Sequence, residues 1–263
     1  RIAMGGRGGY ENFPEDGNDL YTMAQWFPRM CVYSDFKGWQ HNQFTGRGEF
    51  ALVFGDYDVS ITVPADHIME ATGSLQNRKD VYTAEQIKRW EKAENTFDKP
   101  VIIVTQEEAE KAEKGFSDKK KTWHFKAQNV RDFGFSTSRK FMLDAMAVQL
   151  ETAKPMAISI YPKEANPLWG DYSTRAVAQT LKTYSKYTFD YPYPKAVSVS
   201  AEDQGMEYPM ICWNFGRPDK EGKYTDRTKY GMLGVIIHEV GHNFFPMIVN
   251  SDERQWTWMD EGL

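Results

Sequence analysis

One pentapeptide near the end of the sequence, His-Glu-Val-Gly-His at residues 238–242, limits the possible folds more than any other segment. It lies inside an apolar stretch of helical length, residues 230–246. The spacing predicts that His238 and His242 lie one turn apart on the same face of a helix, where two neutral imidazoles can bind one metal ion. Two helix histidines that bind nothing are the alternative, but composition alone produces this pattern in roughly one chain in a hundred or fewer.

Glu239 follows the first histidine and projects about 100° around the helix from it. It therefore lies beside a metal ion held by the histidines and does not bind that ion. Peptide hydrolysis needs such an arrangement: a metal that lowers the pKa of water and polarises the carbonyl, and a carboxylate that accepts the proton and delivers it to the leaving amine. The sequence predicts Glu239 as this general base.

A catalytic zinc ion takes three protein ligands and keeps a fourth position for water. Glu261 lies 19 residues after His242, beyond a polar break at residues 250–252 that can cap a new helix. We expect two helices joined by a short turn, with apolar side chains before Glu261 packed against the histidine helix, namely Met259 and Trp256 or Trp258. One catalytic Zn²⁺ is the predicted cofactor, and its predicted ligands are His238, His242 and Glu261.

The first half of the chain has the patterns of β-strands. Residues 48–64 alternate apolar and polar side chains around a Gly-Asp pair and predict a β meander. Further strand candidates are rich in aromatic or β-branched residues and lie at 100–105, 121–128 and 131–137. The charged residues 106–121 are compatible with a helix, a hairpin tip or a solvated connector.

The pattern changes after about residue 152. Residues 156–162 and 195–200 predict strands, and residues 172–188 have apolar side chains at helical spacing. Strands and helices are therefore mixed in the second half. We predict an α+β chain of two domains, 1–152 and 153–263.

Composition excludes some classes of partner. The chain has 263 residues with 32 Lys and Arg against 37 Asp and Glu, a net charge of −5, so no general basic field attracts nucleic acid. No apolar run approaches the roughly 18 residues of a membrane-spanning helix.

A periplasmic or secreted location is favoured over a cytoplasmic one, although no signal peptide is visible. The oligomeric state is left open.

Two motifs resemble the zinc aminopeptidase family typified by membrane alanyl aminopeptidase. The first is His-Glu-x-x-His followed after eighteen residues by the Glu of Trp-Met-Asp-Glu-Gly. The second is Gln-Gly-Met-Glu-Tyr-Pro at residues 204–209, which is similar to the Gly-Ala-Met-Glu-Asn strand of that family. This resemblance implies that Glu207 binds the free amino terminus of a peptide and that Gly205 and Met206 belong to the substrate site. Gln204 and Tyr208 differ from the family pattern and leave the substrate preference open.

The same resemblance implies a fold, an antiparallel β-sandwich followed by the first part of a thermolysin-like gluzincin catalytic domain. More weakly, residues 44–50 and 156–194 are similar to parts of these two domains. The sequence ends two residues after Glu261. The family's oxyanion-stabilising Tyr and its large helical domain come later, so we expect a fragment of low activity by itself.

The function implied is hydrolysis of the N-terminal peptide bond of peptides, and the partner implied is a peptide with a free amino terminus. Two alternatives are left open. In a zinc endopeptidase Glu207 is incidental, and the enzyme also cleaves a peptide whose amino terminus is blocked. In a catalytically silent peptide-binding protein with the same fold, the ligands and the base have no catalytic role.

Overall fold

The structure is a computed structural model that describes residues 8–41, 52–202 and 204–262. Within these ranges, the strands are β1 (Gly8–Phe13), β2 (Asn18–Ala24), β3 (Val32–Ser34), β4 (Gly38–Gln40), β5 (Gly55–Pro64), β6 (Ile68–Ala71), β7 (Ser74–Leu75), β8 (Val101–Val104), β9 (Lys120–Val130), β10 (Gly134–Ser138), β11 (Met142–Ala147), β12 (Met156–Tyr161), β13 (Lys195–Ser200), β14 (Gly205–Tyr208) and β15 (Ile211–Asn214). The helices are α1 (Arg78–Val81), α2 (Ala84–Ala93), α3 (Gln106–Gly115), α4 (Leu168–Tyr187), α5 (Asp226–Gly241) and α6 (Trp258–Glu261). The predicted mixture of helices and strands is confirmed. None of these helices is long and apolar enough to cross a membrane.

The strands form four sheets. Three of them are antiparallel and belong to the first half of the chain, in the orders β1-β2-β10-β6, β5-β9-β7 and β3-β4. The fourth has six strands in the order β14-β15-β13-β12-β11-β8. It is mixed, because β13 pairs in parallel with both β12 and β15 while the other pairs are antiparallel.

The six-stranded sheet is covered on both faces, since successive side chains along a strand point to opposite faces. Val197 and Val199 of β13 lie in a hydrophobic cluster with side chains from the first half of the chain, including Trp123. Ala196 of the same strand and Cys212 of β15 lie in a second cluster with residues of α4 and α5. The sheet therefore supports α5 on one face and packs against the first half on the other.

This sheet also crosses the predicted boundary between residues 152 and 153. Its strands β8 and β11 come from the first half, and β11 pairs with β12 from Met142↔Tyr161 to Ala147↔Met156. One sheet therefore contains strands from both sides of the boundary. The division into domains 1–152 and 153–263 stays a prediction.

The structure has one strand in the described part of the predicted meander. β5 runs unbroken from Gly55 to Pro64 and pairs with β9. The Gly55-Asp56 pair lies at a register shift at the start of β5, so it marks an irregularity of the strand and not a hairpin turn. Residues 42–51, which include all of 44–50, lie outside the described residues.

Two helices of the first half begin at capping boxes. In α2 the box joins Thr83 and Gln86, and in α3 it joins Thr105 and Glu108. The Thr105 hydroxyl accepts a hydrogen bond from the Glu108 N–H at 3.2 Å, and the Glu108 carboxylate accepts one from the Thr105 N–H at 2.8 Å. These reciprocal bonds satisfy N–H groups that a helix start leaves without partners. Residues 106–115 are therefore a helix, and the first half contains more helix than its sequence pattern predicts.

A buried polar network lies between α4 and the six-stranded sheet. The Asp144 carboxylate accepts a hydrogen bond from the Tyr161 hydroxyl at 2.6 Å and also contacts the Thr174 hydroxyl of α4. Burial raises the pKa of Asp144 to about 6, although both hydroxyl contacts act in the opposite direction. Folding therefore favours the protonated form of this carboxyl group.

We expect Asp144→Asn to stabilise the chain at neutral pH and to change its stability little near pH 4. Because the folded pKa of Asp144 lies above the unfolded value of about 4, the wild type loses stability as the pH rises from about 4 to about 6. The neutral amide does not titrate, so above about pH 7 the variant should be more stable by on the order of 2 kcal/mol. Urea unfolding of both proteins near pH 4.5 and near pH 8 measures this difference. Equal stabilities near pH 8 would contradict the prediction.

Candidate metal centre

Helix α5 places the first part of the candidate site. Its N-cap Thr225 accepts a hydrogen bond from the Thr228 N–H at 3.2 Å. Three apolar residues at four-residue spacing then form a buried face that packs in the cluster with α4: Met232, Ile236 and Val240. The helix ends at Gly241, so His242 is its C-cap. The His242 N–H still donates to the His238 carbonyl at 3.0 Å, which keeps the two histidines one helical turn apart.

The structure brings the three predicted metal ligands together. His238 Nε2 lies 3.0 Å from His242 Nε2 and 3.1 Å from Glu261 Oε2. His242 Nε2 lies 3.8 Å from the same Glu261 oxygen. Glu261 is the last residue of α6, which follows sixteen residues without helix or strand. Two imidazole nitrogens and one carboxylate oxygen thus converge on one point.

His242 is held by two contacts to its other ring nitrogen. His242 Nδ1 lies 3.0 Å from the Phe245 carbonyl and 3.4 Å from Asp260 Oδ1. Both neighbours accept hydrogen bonds, so they favour the tautomer with the proton on Nδ1. In this tautomer Nε2 carries a lone pair that points toward Glu261. Burial opposes protonation of His242, but the hydrogen bond with Glu261 and the charges of Glu239 and Asp260 raise its pKa overall. Hydrogen bonds from His238 and His242 lower the pKa of Glu261.

Glu239 and Glu207 form a buried carboxylate pair beside the three ligands. Glu239 is 5% exposed and Glu207 is 4% exposed. One oxygen of each carboxylate lies within 4.8 Å of the other and of a His242 ring nitrogen. Burial is the largest cause that raises the pKa of Glu239, to about 9, and the negative charge of Glu207 and a hydrogen bond between the two groups add to it. The pair therefore provides a proton-binding group and a negative charge at one place.

Strand β14 lies at one edge of the six-stranded sheet and contacts α5. Gly205 faces the helix: a methyl group at its Cα would lie 2.9 Å from Glu239 Oε1 and 3.2 Å from Val235 Cγ2. Met206 lies in the hydrophobic cluster shared with the first half of the chain, because strand alternation points it to the other face. Its side chain therefore points away from the face that carries the metal ligands, and its place in the substrate site stays a prediction. Glu207 returns to the α5 face.

The apolar residues before Glu261 do not pack as predicted. Trp256 and Met259 are 45% exposed and Trp258 is 70% exposed, whereas Asp260 is fully buried. The short helix α6 thus turns its acidic side chain inward, where Asp260 faces His242, and its apolar side chains outward. The prediction that these apolar residues pack against the histidine helix is wrong.

Two further polar residues connect β14 to its surroundings. The Asn243 side-chain oxygen accepts hydrogen bonds from the Met210 N–H at 2.7 Å and from the Tyr191 hydroxyl at 3.1 Å, which ties the chain just after α5 to the turn after β14. The side chain of Gln204, which departs from the family pattern, donates to the Thr22 hydroxyl of β2 at 3.2 Å. Gln204 is therefore engaged with the first half of the chain.

Sequence reasoning missed a group of buried charges near the ligands. One oxygen each of Glu207, Glu253 and Asp260 lies within 4.8 Å of the other two, and all three side chains are buried. Arg131, in the loop between β9 and β10, forms an ion pair with Glu253. The place of Asp260 near the site could have been predicted, because it directly precedes the predicted ligand Glu261 in the sequence. Arg131 and Glu253 had none, because a single charge in the sequence does not show its distant partner.

No protein-family profile matches the chain. Among curated proteins, the chain is similar to Aminopeptidase 2 of Candida albicans, with 28% identity over 112 residues. This similarity covers 40% of the chain and 12% of that protein. The chain thus spans a small part of the curated relative that it matches.

Among solved structures, the fold is similar to that of an M1 zinc metallopeptidase from Deinococcus radiodurans, with a TM-score of 0.50 and 17% sequence identity over 80% of this chain and 38% of that chain. A mutant of a two-domain M1 zinc metallopeptidase bound to L-arginine matches with the same TM-score of 0.50 and the same 17% identity. At this identity the similarity concerns the fold alone. The chain therefore shares a fold with part of an M1 zinc metallopeptidase and is similar in sequence to part of an aminopeptidase.

Proposed function

We propose that this chain carries the metal-binding and base-bearing part of a zinc-dependent aminopeptidase. One observation carries the proposal: His238, His242 and Glu261 converge on one point, with the buried carboxylates of Glu239 and Glu207 beside it. Three potential ligands, a potential base and a potential anchor for an ammonium group thus lie together. The sequence similarity to an aminopeptidase supports the same function.

The donor set fits a zinc ion. Zinc is bound by imidazole nitrogen and carboxylate oxygen at about 2.0–2.2 Å, and catalytic sites use three such protein ligands. His238 Nε2 lies 3.0 Å from His242 Nε2 and 3.1 Å from Glu261 Oε2, so the three ligand atoms face one point. The hydrogen bond at His242 Nδ1 orients the ring so that Nε2 faces the same point. When bound, zinc supplies a Lewis acid that polarises the scissile carbonyl and lowers the pKa of water.

The two carboxylates beside the ligands then have separate roles. Glu239 accepts a proton from the attacking water and delivers it to the leaving nitrogen, the two proton transfers that hydrolysis of an amide requires. Glu207 binds the ammonium group of the peptide, so the first peptide bond is held over the ligands. The proximity of Gly205 to Glu239 keeps this side of β14 open, because a larger residue would contact the base.

We further propose the division of the fold that the family resemblance implies. The antiparallel sheets of the first half correspond to a β-sandwich domain, and α4, α5, α6 and strands β12 to β15 correspond to the first part of a thermolysin-like catalytic domain. The antiparallel pairing of the first-half sheets supports this division. The two parts share the six-stranded sheet through β8 and β11.

The experiment that tests the function compares two forms of one peptide, with a free and with an acetylated amino terminus, incubated with the zinc-loaded protein. Stepwise loss of residues from the free form alone, followed by mass spectrometry, supports the aminopeptidase. Internal cleavage of both forms supports a zinc endopeptidase instead. A zinc-loaded protein that cleaves neither form would support a silent peptide-binding protein.

A Gly205→Ala variant is expected to turn over the free peptide about 10- to 100-fold more slowly, because displacement of a catalytic group by about 1 Å has effects of this size. The added methyl group would lie 2.9 Å from Glu239 Oε1, so the carboxylate must move. Zinc content should be unchanged, since the atoms nearest to the added methyl group belong to Glu239 and Val235 and not to a ligand. Steady-state kinetics and metal analysis check both points, with Gly115→Ala as the control, because a methyl group at Gly115 meets no atom within 4 Å. Equal turnover in wild type and Gly205→Ala would contradict this placement of the base.

A further inference from the structure

The segment that connects His242 to Glu261 has no helix or strand between residues 242 and 257. A metal site needs its ligands held within about 0.5 Å of their working positions. Contacts from elsewhere must therefore position this segment. Among the polar contacts from the first half of the chain are those of Lys37 with Asp252 at 2.9 Å, Asn250 with the Leu52 carbonyl at 3.1 Å, and Arg131 with Pro246 and Glu253.

Arg131 contacts the connecting segment at two places with one guanidinium nitrogen. Its Nη1 donates to the Pro246 carbonyl at 3.1 Å and forms the ion pair with Glu253 Oε1. Pro246 lies four residues after His242, and Glu253 lies eight residues before Glu261. A guanidinium nitrogen carries two N–H groups and can serve both acceptors at once. The contact thus joins the start of the segment to its middle.

The ion pair of Arg131 with Glu253 is also much more buried than that of Lys37 with Asp252. The side chains of Arg131 and Glu253 are 1% and 2% exposed, whereas those of Lys37 and Asp252 are 38% and 12% exposed. Exposed ion pairs contribute little, and removal of one partner of a buried pair has a large effect. Glu253 also lies within 4.8 Å of Asp260, which faces His242 Nδ1 at 3.4 Å. The ion pair therefore adjoins a group that orients a metal ligand.

We propose that Arg131 and Glu253 are positioning residues of the metal centre, which hold Glu261 in place relative to His238 and His242. The inference rests on the proposed function, because it assigns a metal to these three ligands. It goes beyond that function by making a loop of the first half of the chain necessary for tight metal binding. Arg131 and Glu253 act through the connecting segment and do not bind the metal themselves.

The test measures zinc affinity by competition with a chromophoric chelator, in the wild type, Arg131→Met, Glu253→Met and the double variant. We expect the double variant to bind zinc about 10- to 100-fold more weakly, the range found when residues that orient metal ligands are replaced. Glu253→Gln retains an acceptor for the guanidinium and should bind zinc more tightly than Glu253→Met. Lys37→Met, which removes the exposed contact to Asp252, is the matched control and should change the affinity by less than about threefold.

A second measurement separates positioning from general stability. Cobalt replaces zinc in such donor sets, and its visible absorption depends on the geometry of the ligands. The spectrum should change in the double variant, under conditions where circular dichroism shows that it is folded. Each single methionine variant removes one charge of a buried ion pair and can fail to fold. The double variant removes both charges and decides the question in that case.

The outcomes are distinct from those of the proposed function. If the wild type binds no zinc, the proposed function fails before any variant is examined. If the wild type binds zinc and the folded double variant binds it equally tightly with the same cobalt spectrum, the positioning role is overturned. The positioning role is also overturned if Lys37→Met loses as much zinc affinity as the double variant. The exposed and the buried contact would then have the same effect.

Discussion

A Glu239→Gln variant is expected to keep its zinc and to hydrolyse a peptide with a free amino terminus at least about a thousandfold more slowly, within the range that acid–base catalysis contributes. The amide has nearly the shape of the carboxylate but cannot accept the proton of water. Glu239 is not one of the three groups whose atoms converge at the ligand point, so its replacement leaves the donor set intact. Peptide turnover by liquid chromatography and zinc content by elemental analysis give the two measurements.

Two companion variants make this result specific. Glu261→Gln should lose both zinc and activity, because it removes the anionic ligand. Glu107→Gln on α3 is exposed, removes the same charge far from the ligands, and should change neither zinc content nor activity. Loss of zinc from Glu239→Gln would show that Glu239 supports the metal itself, and unchanged turnover would show that another group is the base.

Local patterns predicted the parts of the site that lie within one element. The spacing of His238 and His242 alone predicts that their rings meet, and the structure brings Nε2 of each within 3.0 Å of the other. Beyond this helix, Glu261 was predicted from the need for a third ligand after the two histidines, whereas Glu207 depended on the family resemblance. Which side of α6 faces inward was not predictable from its composition. A buried Asp260 beside exposed Trp258 reverses the usual preference, and the reason is the contact with His242.

The sequence predicted individual strands and helices, which depend on local patterns. It did not predict which distant strands pair with one another. Strands β12 and β13 and helix α4 follow from periodicity. The pairing of β11 with β12 across the predicted domain boundary depends on contacts that no local pattern contains. For the same reason the ion pair of Arg131 with Glu253 was not predictable. Arg and Glu are residue types that usually lie at the surface, and only the folded chain shows that both are buried.

Replacement of Glu207 by Gln is expected to remove most of the preference for a free amino terminus. A charge-assisted hydrogen bond between an ammonium group and a buried carboxylate contributes about 1.5–3 kcal/mol, so kcat/KM for the free peptide should fall about 10- to 100-fold. The acetylated peptide has no ammonium group, so above the acidic limb of both pH–rate profiles any residual cleavage of it should change less than about threefold. The measurement is the ratio of kcat/KM for the two forms in both proteins, with zinc content as the control for the metal site.

The pH dependence provides an independent check on the same variant. The negative charge of Glu207 is one of the causes that raise the pKa of Glu239, after burial. Removing that charge should lower the pKa of Glu239, so the acidic limb of the pH–rate profile of Glu207→Gln should move to lower pH. A purely structural carboxylate would reduce cleavage of both peptides equally when replaced, and would leave their ratio unchanged. A selective loss for the free peptide together with the shifted limb therefore identifies Glu207 as the group that faces both the substrate ammonium and the base.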